Sequence, residues 1–246
     1  MSLMINNLPP LPVYPRHCEP SIEPDSLDTH TQSLSRRRRN IGEPGKYWPQ
    51  HSTLKIALYD YEIDDEYVQA VIKAASHWLP HINLKFEFVS GDEGDVRISQ
   101  NLAGDAGGSS KLGTDAKEKP WYPSMYLPRN HADPRFEYVV MHEFGHMLGA
   151  HHAHQHPEAY IPWDIKKIAA SYKLRGYLNE QDMEKNLLPL PRSSTYDFLP
   201  YDPDSVMHYE VEPSMTDGNW GQSESWEISD GDIAWAHKAY PQPEQP

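Results

Sequence analysis

Residues 142 to 152 read "HEFGHMLGAHH", and this stretch decides the fold. The run before it, "ADPRFEYVVM", predicts a helix with Asp133 as N-cap and Pro134 at the first helical position. On that helix His142 and His146 are four apart and share a face, one turn from each other. Two imidazoles so placed can share one cation, and Zn²⁺ accepts nitrogen donors while keeping an open position. Glu143 adjoins the first histidine, where its carboxylate can act on a water without coordinating the metal. A third ligand is still needed. Gly149 can adopt positive φ and stop the helix by turning the chain back. Three residues further on, His152 completes His-Glu-x-x-His-x-x-Gly-x-x-His. His151 is one residue off register, and His154 and His156 lie beyond a ligand set that is already complete. They are expected to support the ligands, face the substrate or lie at the surface.

Outward from this stretch the pattern is α+β. "LKIALYD" alternates Leu54, Ile56 and Leu58, and "NLKFEFV" alternates Leu84, Phe86 and Phe88; both read as strands. Between them Val68, Val71, Ile72 and Ala75 recur at helical spacing, with Asp64 or Asp65 as N-cap and Pro80 as stop. "DVRISQ" predicts a third strand, and "SMYLP", Ser124 to Pro128, an edge strand. Helices are expected around 164–175 and 230–239, the latter opened by a Ser229–Asp232 capping box. Residues 1–44 carry much of the chain's 23 prolines and no sustained period, and read as an irregular tail. The formal charge of −14 argues against nucleic acid as a partner. No apolar stretch is long enough to span a membrane. The single cysteine, Cys18, excludes an internal disulfide framework. The first residues show no secretory signal pattern.

Downstream, "SVMHY", Ser205 to Tyr209, joins the histidine string in a second motif. Together they resemble the metzincin zinc peptidases and, among them, the astacins. "GGSSKLGTDA", "PSMYLP", "HQHPEAYIPWD" and "SWEISDGDIAWAHKAYP" look like further landmarks of bacterial astacin-like enzymes, so the resemblance covers residues 45–241. It implies a metzincin-like zincin fold: a mixed twisted sheet and two long helices over a zinc cleft, with a loop-rich C-terminal subdomain. The implied boundaries are 45–152 for the upper subdomain and 153–241 for the lower. Met207 would be the turn methionine beneath the three imidazoles. Tyr209 would swing toward the metal and stabilise the tetrahedral intermediate. One position departs from the family: Ala153 stands where astacins have a glutamate that meets the mature N-terminus.

The expected activity is zinc-dependent endoproteolysis by a monomer acting on proteins or peptides. Zinc would supply a water of lowered pKa and polarise the scissile carbonyl, with Glu143 as general base. An extended substrate could add to the sheet at Ser124–Leu127. Two alternatives stay open: a zinc-stabilised binding module that has lost the chemistry, and a toxin or effector delivered to another cell. The protein is expected to act outside the producing cell. In the tail, the four arginines Arg36 to Arg39 are either a solvated linker or a processing site, which would make residues 1–39 a propeptide. "PRHCEP" loosely resembles the Pro-Arg-Cys latch of matrix metalloproteinase zymogens, with His17 inserted. Cys18 would then hold the open zinc position; Asp25 or Asp28 could serve as an acidic equivalent.

Overall fold

The computed structural model describes residues 40–59, 61–102, 107–174 and 185–242. Cys18 and the four arginines lie outside them. The elements run β1 (Ile41–Gly42), β2 (Thr53–Leu58), α1 (Glu66–Ala75), β3 (Lys85–Ser90), β4 (Val96–Gln100), β5 (Ser109–Ser110) and β6 (Met125–Leu127). They continue as α2 (Phe136–Met147), α3 (Ile165–Leu174), β7 (Asp197–Phe198) and α4 (Asp230–Ala239).

The main sheet has five strands in the order β3-β2-β4-β6-β5. All neighbours are parallel except β5, which runs antiparallel to β6. The sheet is therefore mixed, as expected. Leu54, Ile56 and Leu58 of β2 are buried on one face, and Ala57 shows that the other face is covered only toward the end of the strand, since Thr53 and Lys55 are exposed. The helix α1 turns Tyr67, Val68, Val71 and Ala74 inward toward α2. Trp78, fully buried after α1, donates its indole N–H to the Met141 carbonyl of α2 at 2.9 Å. That bond ties the first helix to the one that carries the histidines.

Three expectations are corrected. The strand Met125–Leu127 is interior, between β4 and β5, so the exposed edge is Ser109–Ser110 instead. The helix α2 starts at Phe136 with Arg135 at the N-cap position, two residues later than expected, and Asp133 accepts from the Arg135 backbone N–H at 2.8 Å in the turn ahead of it. Pro80 does not end α1. The α-helix stops at Ala75 and continues as a 3₁₀ turn, Ser76–His81, that contains the proline.

The described fold reaches back to Asn40, ahead of the boundary expected at 45. Asn40 and Ile41 are buried, and β1 pairs antiparallel with β7. The C-terminal helix also closes on the core. Tyr240 donates its hydroxyl to the Leu148 carbonyl at 2.7 Å, and the Trp48 indole N–H reaches the Met147 carbonyl at 2.7 Å. Both satisfy carbonyls that the end of α2 leaves unpaired.

Arg97 is a residue that pattern reading did not single out. It is 2% exposed, and its guanidinium donates to the backbone carbonyls of Tyr122, Gly94 and Ala116. It fastens the segment before β6 to the sheet.

Candidate metal centre

The helix α2 ends in two bonds that reverse the chain. The Gly149 N–H donates to the His146 carbonyl at 2.8 Å, and the Ala150 N–H to the Gly145 carbonyl at 2.9 Å. This is a Schellman closure with Gly149 at φ +101°. A Cβ on Gly149 would lie 2.7 Å from Cδ1 of Tyr47, whose ring is backed by Trp235 and Tyr240. The turn carries the chain back so that His152 faces the helix it has just left. Gly149→Ala should therefore cost about 1–3 kcal/mol for the left-handed backbone, and more for the collision. It should also release zinc. Thermal unfolding and metal content after dialysis would check this; full zinc retention at an unchanged Tm would show that the turn does not set the third histidine.

The geometry then brings the three histidines together. One nitrogen from each of His142, His146 and His152 lies within 4.8 Å of the others. The His146 and His152 Nε2 atoms approach to 2.9 Å. For the two helix histidines the outer nitrogen fixes the tautomer. Nδ1 of His142 meets the Val206 carbonyl at 2.8 Å, and Nδ1 of His146 meets the Ala150 carbonyl at 2.8 Å. A carbonyl can only accept, so each Nδ1 carries the hydrogen and each Nε2 keeps its lone pair for the centre. Burial is the main cause that holds all three rings neutral, with His146 pushed down to about 4 and the other two well below the ordinary value. Neutral imidazole is the ligating form. Nε2 of His142 is buried with no hydrogen-bond partner among the described residues. A buried lone pair without a donor is costly unless a cation receives it, and three convergent imidazoles suit Zn²⁺.

Glu143 lies beside this set, 4% exposed. Burial pushes its carboxyl up to about 8, and its Oε2 has no partner among the described residues. A divalent cation nearby would favour the anion.

Beneath the histidines runs the Ser205–Tyr209 turn. Met207 is fully buried and packs against the bare backbone of Gly145, where a Cβ would collide with its Sδ. The turn is held from below by Asp232, itself fully buried. Its carboxylate accepts from the Ser205 hydroxyl at 2.7 Å and the Val206 N–H at 2.8 Å. It also accepts from the Ser229 N–H at 2.9 Å and from the Asn40 side chain. The capping box expected at Ser229 and Asp232 is present. The same carboxylate also holds the floor of the site, a second task that sequence spacing did not announce.

Tyr209 stands over the centre. Its ring centroid is 4.1 Å from His152 and 5.3 Å from His142, nearly parallel to the latter at 14°. The His208 ring orients the backbone here. Its Nδ1 donates to the Tyr209 carbonyl at 2.7 Å, and its Nε2 accepts from the Tyr201 hydroxyl at 2.8 Å.

The remaining histidines are sorted by the same contacts. His151 turns away to Glu43 at 2.8 Å, linking the ligand loop to the segment after β1. His154 and His156 are 0% and 2% exposed, which corrects any surface placement. His154 stacks on Tyr209 at 4.9 Å and bonds the Asn186 carbonyl at 2.9 Å; it supports the centre from the side. His156 packs edge-on to Phe198 and caps the Glu158 N–H.

Comparisons with known proteins agree with this arrangement. The family model described as Astacin, a peptidase family, matches residues 40–220. A solved structure of myroilysin is 28% identical, with a TM-score of 0.74, and the match covers 82% of this chain and 99% of that one. A second myroilysin crystal structure is 29% identical at a TM-score of 0.60, covering 80% and 86%. High choriolytic enzyme 1, a hatching enzyme zinc-protease from the medaka fish Oryzias latipes, is 15% identical at a TM-score of 0.52 over 78% and 93%, and shares the fold. No curated protein matches the chain. With the family's model covering the chain from the first described residue past the Ser205–Tyr209 turn, this protein belongs to the astacin family and is a zinc metalloendopeptidase.

Proposed function

We propose that the chain cleaves internal peptide bonds of protein substrates with His142, His146 and His152 as zinc ligands and Glu143 as general base. The observation that carries this is the convergence of one nitrogen from each of the three imidazoles within 4.8 Å, with a buried carboxylate oxygen on the adjoining residue that has no hydrogen-bond partner among the described residues. Held by His142, His146 and His152, zinc would supply Lewis-acid chemistry for the scissile carbonyl and lower the pKa of the attacking water. Glu143 takes the water's proton and passes it to the leaving amine. Its burial, which penalises the anion, suits a group that must hold a proton for part of the cycle. Tyr209, stacked over the ligands, donates its hydroxyl to the developing oxyanion. The exposed edge at Ser109–Ser110 can take an extended substrate backbone by strand addition. The activity is read as one exercised on proteins outside the producing cell, by a monomer.

The alternative of an inactive zinc-stabilised module has to account for Glu143. A buried carboxyl without a satisfied Oε2 costs stability, and a purely structural site gains nothing from it. Incubation with denatured protein substrates, with and without a chelator, tests the reading. Fragments should appear only without chelator and return when zinc is restored. Full zinc occupancy with no cleavage across a broad peptide mixture would favour the binding module.

A further inference from the structure

We propose that Gly108 is a positioning residue for Glu143: the missing side chain at 108 sets where the carboxyl of the base lies. This rests on the reading of Glu143 as general base. Gly108 immediately precedes β5, at the outer edge of the sheet. Its segment is pinned on both sides. Asn101 donates its side-chain amide to the Gly107 carbonyl at 3.2 Å, and the Lys111 N–H reaches the Ser124 carbonyl at 2.8 Å. Ser109 and Ser110 pair with Tyr126 and Met125. The backbone at 108 therefore cannot drift away from α2.

It runs directly over the base. A Cβ on Gly108 would stand 2.7 Å from Cγ of Glu143, 2.8 Å from its Oε1 and 2.9 Å from Cγ1 of Val139. Val139 is one helical turn before Glu143, on the same face, and is 5% exposed within the core. The glutamate atoms are the nearer ones and its side chain is the more flexible, so the carboxyl gives way further than the packed valine. The carboxyl has little else to orient it, since Oε2 finds no hydrogen-bond donor among the described residues. Shape sets its direction, and the bare backbone of Gly108 is one wall of that shape. A base has to lie within hydrogen-bond reach of the proton it takes, and misplacement by about 1 Å can cost on the order of 100-fold.

The test compares Gly108→Ala with Glu143→Gln and with Gly45→Ala, whose new methyl would meet nothing within 4 Å. Zinc-loaded Gly108→Ala should keep one zinc per chain and unfold cooperatively at a Tm close to that of the wild type. Its kcat should fall about 10- to 100-fold with KM within about threefold, as a misaligned base predicts. Its crystal structure should show the Glu143 carboxyl displaced, a readout independent of turnover. In a Glu143→Ala background the glutamate contacts are gone and the Val139 contact remains, so adding Gly108→Ala should change the residual rate by less than about twofold. A normal kcat in Gly108→Ala, an unmoved carboxyl, a loss of zinc or Tm that accounts for the fall, or a further fall in the Glu143→Ala background would each overturn the proposal. The two readings fail separately. Turnover retained in Glu143→Gln refutes the base itself; a dead Glu143→Gln beside a normal Gly108→Ala refutes only the positioning.

Discussion

Glu143→Gln will retain zinc and hydrolyse peptide bonds at least two orders of magnitude more slowly than the wild type. The two helix imidazoles do not depend on residue 143 for their orientation, since His142 and His146 are held by the Val206 and Ala150 carbonyls. Glutamine has the same shape, so the packing against the helix is preserved. Burial favours the neutral carboxyl at this position, so a neutral amide of the same shape is tolerated and the Tm should not drop. What is lost is the ability to take a proton, and a positioned base typically contributes about 10²–10⁴-fold. Zinc stoichiometry beside kcat on a peptide substrate decides the matter. Near-normal turnover at full occupancy would rule the mechanism out.

Tyr209→Phe should lower kcat by about 10²-fold, the scale of one oxyanion donor, with KM and zinc content little changed. The ring contacts to His142, His152 and His154 belong to the aromatic face and survive the substitution. The backbone of residue 209 is fixed independently through His208. Only the hydroxyl goes, so the variant isolates its role in the transition state. Zinc loss with the fold intact would instead make the hydroxyl a ligand and remove it from the oxyanion.

Much of this centre was legible in sequence because its parts are local. His142, His146, Gly149 and His152 lie close together in the chain, and helical period plus one left-handed residue fixes their meeting. The Ser229–Asp232 box is likewise a three-residue relation. The floor was legible only through family resemblance: a methionine in a turn well downstream carries no periodic signal. What failed to show was set by distant contacts. The edge of the sheet passed from Met125–Leu127 to a two-residue strand too short to read as one. His154 and His156 are buried by Asn186 and Phe198, far along the chain. The start of α2 lies two residues past the expected position, beyond a turn in which Asp133 accepts from the Arg135 N–H. The bond from Asn40 to Asp232 spans 192 positions, and no window of sequence contains it.

That long span bears on the order in which the enzyme is made. A chain emerging from the ribosome exposes His142 to His152 well before residue 232. The turn under those histidines, however, takes its Val206 and Ser205 bonds from Asp232, and the end of α2 takes a further bond from Tyr240. Domains fold as units during synthesis, and this one lacks its supports until its last helix is free. The nascent chain therefore carries a complete ligand motif without a complete site. The floor of the site gains these bonds only after residue 232 has been added, so the timing of its assembly is tied to the position of a single buried aspartate.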